Sequence, residues 1–165
     1  MTIIIKNKET LLIDDFKFRC SVGEKGFSRH KKENDLKTPS GIFNLGNIYY
    51  RKDRVKKPIS KLKSICIQKN MGWCDDPNSK YYNKLIKIRK NLKISYEKLF
   101  RKDNKYNLFI LIKYNYNKII KNKGSAIFLH LTSNYSSTKG CVAIKEKDFL
   151  ILNKLINKKT KIKIV

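Results

Sequence analysis

Apolar residues in this chain recur at alternate positions or in short unbroken runs, the patterning of β-strands. "TIII" and "FKFRCSV" read as short strands, and "KNKETLLIDD" between them holds a further strand or a turn. "IFNLGNIYYR" resumes strand character. "SICIQKNMGWCDDPNSKYYN" starts apolar and passes into a turn at Asp75-Asp76-Pro77, and "KLIKI" alternates. "YNLFILIKYNYN" carries the strongest strand pattern, with β-branched and aromatic residues throughout. "SAIFLHL", bounded by Gly124, is the next strongest. "GEKGFSRHKKENDLKTPSG" is dense in Gly, charge and turn formers and reads as a loop. "ISYEKLFRKD" predicts a short helix capped by Ser95. Beyond Cys141, residues Phe149, Leu150, Leu152, Leu155 and Ile156 fall close to helical spacing, with lysines on the other face, and "TKIKIV" closes the chain as a strand. The sum is a mainly β protein with a few helices, one of them near the C-terminus. No repeat or Pro/Gly/Ser-rich linker divides it, so residues 1–165 are expected to form a single domain.

Composition refines this picture at few points. Hydrophobic residues make up 41% of the chain and aromatics 11%, enough to fill a core and too many for wholesale disorder. Thirty-nine Lys and Arg against 13 Asp and Glu give a formal net charge of +26. That charge implies attraction to acidic polymers, nucleic acid and wall material included. Lys, Asn and Ile are in joint excess, however, and the lysines are scattered rather than gathered on one predicted element, as AT-rich coding produces without any binding purpose. Cys20, Cys66, Cys74 and Cys141 form no CxxC, and with two histidines no zinc spacing arises. Buried or isolated thiols are expected, one of them reactive at most. "MTIIIKNKETLLIDDF" lacks the apolar core of a signal peptide, and no segment has the length of a membrane span.

"AIFLHLTSNYSSTKGCVAI" carries the candidate chemistry. His130 ends an apolar run, a polar segment follows, and Gly140-Cys141 opens a second apolar run. A Gly before the Cys lets the chain turn so that successive N–H groups converge on one spot, the geometry of an oxyanion hole. An imidazole within about 3–4 Å of the sulfur would favour thiolate and act as acid and base in turn. Taken alone, the same residues also describe a small buried Cys and a hydrogen-bonded strand-end His.

"HLTSNYSSTKGCVAI" resembles the active-site signature of the L,D-transpeptidase catalytic domain family (YkuD-like), in which a strand-end His, a variable loop and Ser/Thr-His-Gly-Cys precede an apolar residue. "TPSGIF", residues 38–43, resembles a second mark of that family, Thr-Pro-x-Gly-x-Phe, in the expected order. The resemblance extends over most of the chain and implies a β-sandwich or barrel with a helix after the Cys. It implies Cys141 as nucleophile, His130 as base, and Gly140 and Cys141 as oxyanion donors. Thr138 would orient His130, with the Leu131 carbonyl as the other candidate partner of the ring. Lys139 replaces the usual His before Gly, and Ala143 stands where many members carry Arg. Lys139 would then favour thiolate or hold a substrate carboxylate; otherwise it is one more solvated lysine. "GWCDDPNSKYYN" resembles a segment of a proteobacterial branch of the family and offers Trp73, Asp75 and Tyr82 as substrate contacts, with Trp73 walling the cleft and Asp75 receiving an ammonium. Asp76 reads as turn chemistry, Cys74 as packing and His30 as exposed.

The resemblance implies peptidoglycan stem peptides as substrates, a thioester on Cys141, no metal or organic cofactor, and a monomer acting in the periplasm or cell envelope, although no signal peptide is visible. The alternative is a basic binding module for RNA or acidic polymer with a degenerate catalytic site.

Overall fold

The computed structural model describes residues 1–165. Fourteen strands and one helix follow in chain order: β1 (Thr2–Asn7), β2 (Thr10–Ile13), β3 (Phe16–Arg19), β4 (Phe27–Ser28), β5 (Thr38–Pro39), β6 (Gly41–Tyr50), β7 (Ser64–Cys66), β8 (Met71–Cys74), β9 (Leu85–Lys87), β10 (Tyr96–Lys98), β11 (Leu108–Ile112), β12 (Phe128–Leu131), β13 (Val142–Ile144), α1 (Glu146–Leu155) and β14 (Lys161–Ile164). The fold is mainly β with one helix near the C-terminus. The main sheet runs β13-β12-β11-β6-β14-β1-β2-β3, with β7 added beside β6. It nearly closes on itself. Beyond β3, Ser21 exchanges two 2.9 Å backbone hydrogen bonds with Ala143 of β13, and Thr138 bonds Val22 and Glu24 in the same way.

The barrel-like sheet separates two apolar cores. Inside lie Ile3, Ile5, Leu11, Ile13, Ile48, Ile162 and Ile164, joined by the inward halves of β11 (Leu108, Ile110, Ile112), β12 (Leu129, Leu131) and β13 (Val142, Ile144). Helix α1 adds Phe149 and Leu152 to this core. Outside, the opposite face of β6, β11 and β12 presents Tyr49, Phe109, Leu111 and Phe128 to a second core with Trp73, Leu99 and Tyr106, beneath the small sheet β10-β8-β9. Burial on both faces explains why "LFILI" is an unbroken apolar run rather than an alternating one. The two-core arrangement also fixes the site. His130 and Cys141 share the parity of Phe128, so they point to the outer face, where the second core ends.

Three expectations change. Residues 96–98 form a strand, not a helix: Tyr96, Glu97 and Lys98 pair antiparallel with Cys74, Trp73 and Gly72. Ser95 caps nothing and donates its hydroxyl to Asp75 at 2.5 Å. The charged loop before Thr38 also carries the two-residue parallel ladder of β4 and β5. Leu150, expected on the buried face of α1, is exposed, while Ile156 is buried just past the helix end. The region between the first two expected strands holds β2.

Phe149 is the aromatic plug that α1 sets into the inner core, with none of its surface in solvent. Phe149→Ala is expected to lower stability by about 3–5 kcal/mol, read as a fall in the urea midpoint at unchanged m-value.

Candidate active site

The loop that leads into Cys141 is wedged between two other segments. On one side Thr138 pairs with Val22 and Glu24. On the other, a Cβ placed on Gly140 would lie 2.9 Å from the Lys37 carbonyl oxygen, and Gly140 itself has φ +146°, so no side chain fits there. Thr38 of "TPSGIF" is fully buried in this wedge. Its Oγ1 accepts the Gly23 N–H at 2.8 Å and lies 3.5 Å from the Cys141 carbonyl. The two sequence marks therefore meet in space, and each holds the other's backbone.

Thr138 fastens this loop from within. Its hydroxyl donates to the Cys141 carbonyl at 2.7 Å and accepts the Gly140 N–H at 3.1 Å. It makes no hydrogen bond to His130, so it does not orient the ring as expected. The Leu131 carbonyl does so instead, 2.8 Å from His130 Nδ1. A carbonyl only accepts, so Nδ1 carries the proton and Nε2 keeps its lone pair. The Gly140 N–H is likewise spent on Thr138 rather than offered to a substrate, whereas the Cys141 N–H takes no protein acceptor. Gly140 serves the loop through its conformation, and Cys141 retains the free donor.

His130 is 6% exposed and lies edge-on to Tyr106, with ring centroids 5.4 Å apart. Burial holds its pKa down at about 4, against the pull of the Leu131 hydrogen bond. Cys141 is 9% exposed; its thiol donates to the Ala126 carbonyl at 3.2 Å and accepts the Phe128 N–H at 3.4 Å. Burial, reinforced by the charge of Glu97, pushes this thiol up to about 12. The resting pair is thus a neutral imidazole and a neutral thiol. The expected thiolate held by a neighbouring imidazole is not the resting state, because burial and the Glu97 charge outweigh the Phe128 N–H, which by itself favours the thiolate.

Both side chains line one cleft of about 550 Å³. Its wall also carries Asp75, Glu97, Arg101 and Tyr106, together with Lys139 and Glu33. Tyr106 donates its hydroxyl to Glu97, whose pKa is raised by burial and partly restored by that bond and by Arg101. Trp73 does not wall the cleft. It is 2% exposed, bonds Asn83 through its indole N–H at 2.8 Å and packs edge-on against Phe128 beneath the site. Tyr82 is also set behind the wall, with its hydroxyl on Glu33. Asp75 and Lys139 do line the cleft. Asp76 accepts the Asn78 N–H in a turn, Cys74 is buried, His30 is exposed, and all four thiols are free. Sequence reasoning missed Glu33, Glu97, Arg101 and Tyr106. The one local sign was an acid at the middle of "YEK", inward by strand alternation once 96–98 is read as β.

With Cys141 held up at about 12, its alkylation by iodoacetamide in the unliganded protein should keep rising with pH through 9 and level off only near 12. Mass-spectrometric rates at the Cys141 peptide check this, and a plateau near neutral pH would contradict it.

No curated protein matches the chain. The family model for the YkuD L,D-transpeptidase catalytic domain matches residues 1–164. A barrel-like sheet with a C-terminal helix, joined to a match over nearly every residue, places the chain in the YkuD family of L,D-transpeptidase catalytic domains.

Proposed function

We propose that the protein is a cysteine acyltransferase that acts on peptidoglycan stem peptides through a thioester on Cys141. The observation that carries the reading is the outer-face cleft, where a thiol, an imidazole with its Nε2 lone pair free, and an unpaired main-chain N–H on the nucleophile itself come together. Substrate entry draws the sulfur away from the Ala126 carbonyl. The thiol proton passes to His130 Nε2, and the sulfur attacks the carbonyl carbon of the donor's diamino residue. The oxyanion is held by the Cys141 N–H. Collapse breaks the amide bond, and the departing D-amino acid takes the proton from His130. An amine on a second stem then attacks the thioester, gives a proton to His130 and forms the cross-link, and the sulfur leaves and is reprotonated. Water in place of that amine gives a carboxypeptidase.

Neutral partners suit this order of events. A buried ion pair is costly before substrate arrives, whereas proton transfer concerted with attack spreads the charge onto an oxyanion that has a donor waiting. Lys139 and Asp75 at the cleft wall serve as substrate contacts in this reading. The cell envelope is the place of action, and no helix is long and apolar enough to cross a membrane.

Cys141→Ala should abolish turnover of a stem-peptide donor, a fall of at least a thousandfold, while leaving the melting curve in place. A carbapenem should add its mass to the Cys141 peptide alone. An adduct on another cysteine, or none, would instead favour a basic binding module with an inert thiol, which then shows nucleic-acid affinity falling steeply with salt.

A further inference from the structure

Three carboxylates line the cleft, and their surroundings differ. Glu97 takes the Tyr106 hydroxyl and has the Arg101 guanidinium 3.9 Å away, so a cation already answers it. Asp75 is held by the hydroxyl of Ser95, itself exposed. Glu33 is supported from behind the wall. Its Oε2 accepts the hydroxyl of Tyr82, which is 2% exposed, and that of the buried Ser125 at 2.9 Å. The Tyr82 oxygen receives the Gly124 N–H at 2.9 Å, which leaves its own proton for Glu33. Glu33 Oε1 takes no protein donor, and no Lys or Arg comes within 4.0 Å of either oxygen.

In a chain with 39 basic residues this isolation has a local cause. Adjacent Lys32 is exposed and forms no ion pair with Glu33, while Lys31 is 4% exposed and its ammonium is committed to Asp35 at 2.7 Å and to the Lys32 carbonyl. Two neutral hydroxyls orient the Glu33 carboxylate without neutralising it. A primary ammonium supplies both the missing charge and donors for Oε1. The place is next to the chemistry, because Ser125 precedes Ala126, whose carbonyl holds the Cys141 thiol.

We propose that Glu33, oriented by Tyr82 and Ser125, receives the side-chain amine of the donor peptide's diamino residue and so selects donors that carry a free ammonium there. The ligand's identity rests on the acyl-transfer reading; the ammonium preference does not require turnover.

The test compares a synthetic tetrapeptide, with a diamino residue before a C-terminal D-alanine, against its twin acetylated on the side-chain amine. Binding is measured by calorimetry on Cys141→Ala protein, so that no chemistry intervenes. The free-amine peptide should bind about tenfold more tightly. Adding Glu33→Gln, which keeps both hydroxyl bonds but removes the charge, should bring the two within about twofold. Ser125→Ala should shrink the preference part-way. Equal binding of the twins to Cys141→Ala protein overturns the proposal whatever the variants do. So does a preference that survives Glu33→Gln, or one that is lost in Asp75→Asn instead. A preserved ammonium preference in a wild-type chain that turns over neither peptide leaves the Glu33 subsite standing and removes only the acyl-transfer reading.

Discussion

The paired hydrogen bonds between Ser21 and Ala143 hold the two ends of the main sheet together, and the site depends on them. Closure covers the outer edge of β13 at Ala143. It also brings Val22 and Glu24 against Thr138, so the loop before the nucleophile becomes part of the barrel seam rather than a free connection. With Lys37 and Thr38 packed on its other side, the loop has no slack. The Cys141 N–H is left without a protein partner beside Thr138 and Gly140, whose groups are bonded within the loop.

The chemistry at this seam begins from neutral groups. His130 is locked in one tautomer by the carbonyl of Leu131, the residue that follows it in the same strand, so a β-strand end supplies both the imidazole and its orienting group. The thiol shelters between Ala126, just ahead of β12, and Phe128, the first residue of the strand that carries His130. Because β12 and β13 are parallel and adjacent, with His130 opposite Ala143, the two reactive side chains reach the same face without any long connection between them. The aromatic layer of Tyr106, Phe109 and Phe128 beneath them keeps that face dry, which sets both pKa displacements.

Much of this was legible in the chain, and the omissions share a physical cause. The strands around "LFILI" and "FLHL" and the helix after the cysteine follow from periodicity, whereas the contact between "TPSGIF" and the cysteine motif is a tertiary one that motif order alone does not give. Residues 96–98 were misread because a three-residue strand offers little periodicity, and pairing with Trp73 overrides its local helical preference. Trp73, expected to wall the cleft, and Tyr82, expected to contact substrate, both stand one layer behind the wall, a distinction that depends on which face of β8 and of the turn after it meets the second core. Glu33 looked like one more charge in a lysine-rich loop. Its role depends on hydroxyls 49 and 92 residues away, which no local pattern encodes.

The sheltered sulfur has a consequence for chemical durability. Peroxide and other oxidants attack the thiolate, and oxidation past the sulfenic acid is not readily undone. A thiol that stays protonated and shielded is spared that damage. The burial that makes the Cys141 sulfur slow to react thus also makes it durable.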